Sequence, residues 1–128
     1  MNLPDFKVLV CITPQSNSRR LIDKGVETAA GGGELHIVYV QKGGDIFAEE
    51  ASLKLLQELY DYGAGLGGII HGLLGEDVIA TLENFIKDES ITHVVLGAPP
   101  ENALKRSIAV IERLEKDLPQ LKFIVLER

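Results

Sequence analysis

Five short apolar runs recur along the chain, separated by stretches whose apolar positions repeat at helical spacing. The first run, Phe6-Lys7-Val8-Leu9-Val10-Cys11-Ile12, is almost wholly apolar and stops at Thr13-Pro14. Proline has no N–H for a strand ladder, so the strand ends there. A run without apolar/polar alternation predicts a strand buried on both faces, as in a parallel sheet. Gln15-Ser16-Asn17-Ser18 then supplies capping side chains, and Leu21, Ile22, Gly25, Val26 and Ala29 continue as a helix that Gly31-Gly32-Gly33 stops. Leu35 to Val40 is the second strand. Asp45 can cap a long helix with Ala51, Leu55, Leu56, Leu59 and Tyr62 on its apolar face. Gly63 to Gly68 reads as a loose connection.

Ile69-Ile70-His71 with its neighbours is the third strand, and Gly75-Glu76-Asp77 opens a helix with Val78, Ile79, Leu82, Phe85 and Ile86 inward. Its acidic residues stand at the positive end of the helix dipole. Thr92 to Gly97 is the fourth strand, and Pro99-Pro100 forces an extended connection. Asn102 can cap a last helix with Leu104, Ile108, Ile111 and Leu114 on its apolar face; Pro119 ends it and Leu121 to Leu126 is the fifth strand. Such alternation predicts an α/β fold: an open five-stranded parallel sheet with right-handed crossovers and helices on both faces. In such sheets ligands bind at the carboxyl ends of the strands, beside the point where strand order reverses. The loops that matter are then Thr13 to Ser18, Gln41 to Asp45 and Gly97 to Asn102.

The length of 128 residues fits a single domain, residues 1–128, and 45% apolar content is enough for one core. A net charge of −6 argues against general binding of nucleic acid, which needs basic groups to neutralise phosphates. The lone Cys11 excludes an internal disulfide framework and a cysteine-based zinc site. No apolar run reaches transmembrane length, and MNLPDFK shows no signal-peptide h-region, so a cytoplasmic protein is expected.

Several stretches resemble the universal stress protein family, the UspA-like domains, and most of all the version embedded in KdpD-type sensor kinases. KVLVCITPQSNSRRLI is similar to the family's opening strand, loop and first helix, and GGGELHIVYV to its turn into strand two. GEDVIATLENFI with ITHVVLG is similar to the third helix and fourth strand, and LPQLKFIVL to the closing strand. The resemblance implies a Rossmann-like fold of the adenine nucleotide alpha hydrolase type, with strand order 3-2-1-4-5. It also implies a homodimer paired along the last strand, where Leu121, Phe123, Ile124, Val125 and Leu126 would meet their copies.

One branch of the family binds ATP through an Asp after strand one and a G-x2-G-x9-G-[ST] motif from the end of strand four, whose amides and hydroxyl hold phosphates. This chain departs from both. Thr13 stands where the Asp belongs. Gly97 fits the first glycine, but Pro100 occupies the second position, and neither Val110-Ile111 nor Ile108-Ala109 restores the final pair. The basic loop of the KdpD version is replaced by Ala98-Pro99-Pro100-Glu101. A non-catalytic regulatory or stress-response module follows, without strong ATP binding and without turnover. The alternative is a nucleotide-binding stress protein (ATP or AMP) with an altered phosphate loop and at most slow hydrolysis. Its cleft would be lined by Thr13, Pro14, Gln15, Ser18, Val40, Gly97 and Ser107, with Val40 facing the base.

Other chemistry is weaker in the sequence. Arg19 and Arg20 follow the first loop, and Lys105-Arg106 stands beside Ser107; either pair could meet an anion or lie in solvent. His36, His71 and His93 fall on different strands without metal-ligand spacing, which favours structural roles over a metal site and leaves pH sensing open at His71. Cys11 lies inside an apolar strand and reads as packing. A phospho-receiver would need acids where Thr13-Pro14 and Ile70-His71-Gly72 stand, and flavin binding lacks ring-stacking aromatics in the cleft loops.

Overall fold

The computed structural model describes residues 6–12, 18–41, 50–97 and 112–126. Five strands, β1 (Lys7–Cys11), β2 (Glu34–Gln41), β3 (Ile69–Leu74), β4 (His93–Gly97) and β5 (Lys122–Leu126), form one sheet in the order β3-β2-β1-β4-β5. All four ladders are parallel. The helices are α1 (Ser18–Ala29), α2 (Glu50–Gly65) and α3 (Val78–Glu89), and residues 112–117 are helical as well. Asp45, Asn102, Leu104, Ile108 and Ile111 lie outside the described residues.

Strand periodicity divides the core into two layers. Val8, Val10 and Ile12 with Leu35, Ile37 and Val95 pack beneath Leu21 and Ile22 of α1 and Leu59 of α2. Leu9, Val38 and Val94 pack on the other face beneath Leu82, Phe85 and Ile86 of α3, together with Leu114, Leu118 and Leu121. Val8, Leu9 and Val10 have no exposed surface at all, which explains why β1 carries no alternation in sequence.

The ends of α3 show how local chemistry sets a boundary. The Asp77 carboxylate accepts a hydrogen bond from the Ala80 N–H at 3.1 Å, satisfying a donor that the first turn leaves open. Ser90 closes the helix in the left-handed region at φ 58°, with its N–H turned back to the carbonyls of Ile86 and Lys87.

The glycines between Tyr62 and Ile69 are not a loose connection. Gly63 and Gly65 belong to α2, and only Gly67, at φ 92°, needs the left-handed region. A Cβ on Gly63 would come within 2.2 Å of Ile37 Cδ1, so glycine is what lets α2 settle on the sheet. Gly25 does the same for α1, where a Cβ would lie 2.3 Å from Val10 Cγ2 and 3.0 Å from Leu35 Cδ1. A pattern read by residue type marks glycine as a breaker, and close helix-to-sheet packing overrides that reading.

Overpacking costs about 1–3 kcal/mol where neighbours are fixed, so Gly25→Val lowers stability by roughly 2 kcal/mol or more. Gly65→Ala, with nothing within 4 Å of the added methyl, is neutral or stabilising by up to ~1 kcal/mol. Urea denaturation of the two variants beside the parent chain measures both.

Candidate functional site

The strand order reverses at β1, whose neighbours are β2 on one side and β4 on the other. The three ladders around this point do not run equally far. β1 and β4 pair from Val8↔His93 to Val10↔Val95 and no further. β1 stays with β2 to Cys11↔Val38, and the Ile12 N–H then donates to the Val38 carbonyl at 2.9 Å. β4 stays with β5 to Gly97↔Leu126. The sheet therefore splits between β1 and β4 at its carboxyl end. A crevice of this kind is where open α/β sheets take ligands.

The first turn of α1 stands over the split. Ser18 opens the helix and is 1% exposed. No buried side-chain nitrogen or oxygen among the described residues lacks a hydrogen-bond partner, so its hydroxyl is committed within the protein. Leu21, one turn on, lies against the end of β4, where a Cβ on Gly97 would sit 3.4 Å from Leu21 Cδ1. Gly97 thus lies beside the split with Leu21 against it, and Ser18 is buried one turn before Leu21. Val40 is half-buried on the α3 side, near Leu73 across the ladder and against the cluster under α3. Thr13, Pro14, Gln15 and Ser107 lie outside the described residues, so three placed residues, Ser18, Val40 and Gly97, represent the predicted cleft.

Both residues of the basic pair behind the loop are exposed. The Arg19 guanidinium is held over the Tyr62 ring of α2, 4.6 Å from its centroid, and the Tyr62 hydroxyl donates to Asp23 Oδ1. Arg19 is therefore part of the seam between α1 and α2. The hydrogen bond to Asp23 raises Tyr62 above the ordinary phenol range. Arg20 is exposed.

Cys11 is the last residue of β1, beside the split. It retains some exposed surface, yet burial of the thiol pushes it up to about 12 from 9.0. Packing, rather than nucleophilic chemistry, is its role.

Four of the candidate dimer residues, Phe123, Ile124, Val125 and Leu126, sit on β5, the outermost strand on the β4 side, and Leu121 immediately precedes it. Leu121 is 7% exposed and belongs to the chain's own core. Phe123 packs against that same cluster, Ile124 and Leu126 pack against the cluster on the opposite face, and Val125 is left 45% exposed.

The histidines are arranged otherwise than three lone residues. His93 receives or donates a 2.8 Å contact with Thr92 Oγ1 and meets the Phe6 ring edge-on. Burial, and then the Lys122 charge, lowers it below the ordinary imidazole range. His36 and His71 meet directly, Nδ1 to Nε2 at 2.9 Å, and Glu34 Oε1 holds the other nitrogen of His36 at 2.5 Å. The meeting follows from two features legible separately: β2 and β3 are neighbours, and Val38 pairs with His71, which puts His71 diagonal to His36 on one face. No group of three or more His, Cys, Asp or Glu among the described residues could hold a metal ion.

No family model and no curated protein matches the chain. Solved structures do match. A universal stress protein crystallised in complex with cAMP is similar over 95% of this chain and 94% of its own, at 18% identity and a TM-score of 0.63. A universal stress protein family member from Burkholderia pseudomallei covers 94% of both chains at 20% identity and a TM-score of 0.59. A protein of Mycobacterium tuberculosis H37Rv covers 73% of this chain and 72% of its own at 14% identity and a TM-score of 0.54. The fold is that of the universal stress proteins. The strand order expected from the resemblance is the order observed. Among the described residues no helix is long and apolar enough to cross a membrane.

A thiol moved from 9.0 to about 12 has roughly a thousandfold less thiolate at pH 8. Alkylation of native Cys11 by iodoacetamide at pH 8 is therefore slower by about that factor than in urea-unfolded chain, as mass spectrometry of the adduct over time would show.

Proposed function

We propose that this chain is a universal-stress-protein-like regulatory module of the cytoplasm, binding a protein partner or small ligand without turnover, and akin to the domain embedded in KdpD-type sensor kinases. The observation that carries the proposal is the split between β1 and β4, with Gly97 beside it and α1 against Gly97 through Leu21, a crevice in the position where open α/β sheets take ligands. The phosphate machinery expected of an ATP-binding member is missing from the sequence. Thr13 replaces the acid after β1. Pro100 replaces a glycine whose N–H would face phosphate, and a proline has no N–H to offer. No constellation of nucleophile and base stands at the crevice among the placed residues, since Cys11 is desolvated and Ser18 is buried and hydrogen-bonded.

A homodimer through β5 belongs to the same reading. β5 ends the sheet, so one side of its backbone has no strand partner among the described residues, and Val125 offers an exposed apolar side chain beside it. A second copy related by a two-fold axis would cover both. Light scattering after gel filtration at micromolar concentration should give twice the 14.0 kDa chain mass. A monomer under those conditions would remove the dimer from the proposal.

One observation favours the alternative, a nucleotide-binding member with an altered phosphate loop: a protein of the same fold was crystallised with cAMP. A cyclic monophosphate carries less charge than ATP and needs fewer phosphate donors, so the loss of the glycine motif weighs less against it. Calorimetry on nucleotide-stripped protein separates the readings. The regulatory module gives no heat with magnesium and ATP up to millimolar concentration. Micromolar binding of ATP or cAMP, weakened at least tenfold by Gly97→Val, would install the nucleotide-binding reading instead.

A further inference from the structure

Away from the crevice, the face of the sheet under α3 holds a polar chain that the function above does not use. Glu34 and His36 stand two residues apart on β2, on one face, and His71 stands on β3. His36 is 2% exposed, buried beneath the Phe85 ring, which meets His36 and His71 edge-on with centroids 6.1 Å and 4.6 Å away. The imidazoles are nearly parallel, at 20°, with centroids 5.1 Å apart.

The chemistry of the three groups fixes the direction of each hydrogen bond. A carboxylate only accepts, so His36 Nε2–H donates to Glu34 Oε1. In neutral His36 the other nitrogen, Nδ1, then carries a lone pair. His71 Nε2 must be the donor across the 2.9 Å contact. One added proton preserves this arrangement, since an imidazolium still offers an N–H to a neutral partner. Two added protons do not: both facing nitrogens would then carry hydrogens, and two like charges would face each other beneath an apolar ring.

We propose that Glu34, His36 and His71 form a proton-gated latch that ties the edge strand β3 to β2 while the histidine pair holds at most one proton, and releases it when acid supplies a second. The latch matters because, among the described residues, β3 pairs with β2 alone, so a side-chain tie between them adds to a single ladder. Among the described residues, the charges near the pair come from three elements. Lys7 of β1 approaches Glu34 at 4.0 Å, Glu34 itself lies on β2, and Glu89 of α3 acts on His71. Burial lowers His71 below the ordinary imidazole range, His36 lowers it further, and Glu89 opposes both. A histidine held below its unfolded value of 6.5 makes the unfolded chain the better proton acceptor. Stability is therefore complete above that value and falls as pH drops through it, toward the folded-state value.

Nitrogen-15 NMR of the imidazoles in the intact chain reads the latch directly. The expected spectrum at pH 7.5 has His36 protonated at Nε2 with a hydrogen-bonded, unprotonated Nδ1. On acidification His71 takes up its proton below the ordinary imidazole range, and the hydrogen-bonded signature at His36 Nδ1 is lost with it. Titration of His71 at the free-imidazole value, with the His36 Nδ1 signature unchanged, would overturn the latch. The variant His71→Gln supplies an amide donor to His36 Nδ1 but cannot take the second proton. In thermal melts between pH 7.5 and pH 5, the variant should lose at least half of the parent's fall in Tm. His93, lowered by burial and Lys122, supplies the remaining slope in both proteins. A fall in His71→Gln as steep as the parent's would also overturn the proposal, and the NMR titration of the parent decides the matter if the variant does not fold.

Discussion

The rest of the structure depends on the complete burial of the three central residues of one strand. β1 lies in the middle of the sheet, and Val8, Leu9 and Val10 have no contact with solvent. Each apolar side chain so buried contributes about 1.5–3 kcal/mol, with Val8 and Val10 committed to the α1 and α2 side and Leu9 to the α3 side. That constraint fixes the layers. α1 must come close enough to cover Val10, which is why Gly25 stands there, and α2 must lie low on Ile37, which is why Gly63 does. The same strand is where the order of the sheet reverses, so the element that organises the core also opens the crevice.

The order of elements was legible because buried parallel strands are short, apolar and rich in β-branched residues, as in Val8 to Ile12 and Val94 to Leu96, and because helices between them repeat their apolar positions. Strand order was legible through the family resemblance, since alternation alone permits more than one arrangement. The glycines after Tyr62 misled, because residue type records backbone freedom while their use here is to remove a Cβ from a tight contact with Ile37. Of the candidate cleft, Ser18 opens α1, and Val40 and Gly97 lie at the carboxyl ends of β2 and β4. Arg19 did not follow its neighbours, because stacking on Tyr62 depends on a helix some forty residues away in sequence.

The histidine pair shows a different limit. His36 and His71 carry no mutual signal in the chain, being thirty-five residues apart. Their meeting needs three facts at once: that β2 and β3 are neighbours, that they are parallel, and that Val38 is opposite His71. A one-residue slip of β3 would turn His71 to the other face, since strand side chains alternate. The register that buries Leu73 against the α3 layer is the register that brings the imidazoles together. Packing and polar chemistry on this edge are consequently one constraint, and acid acts on both through it.

Native-state hydrogen exchange followed by NMR tests the central claim that β1 is the strand on which the fold depends. The amides of Val8, Leu9 and Val10 should exchange only through global unfolding, with opening free energies equal to the stability measured in urea, while amides of the edge strand β3 exchange through smaller openings. Exchange in β1 through openings as small as those of β3 would contradict the account, because the core would then be organised elsewhere.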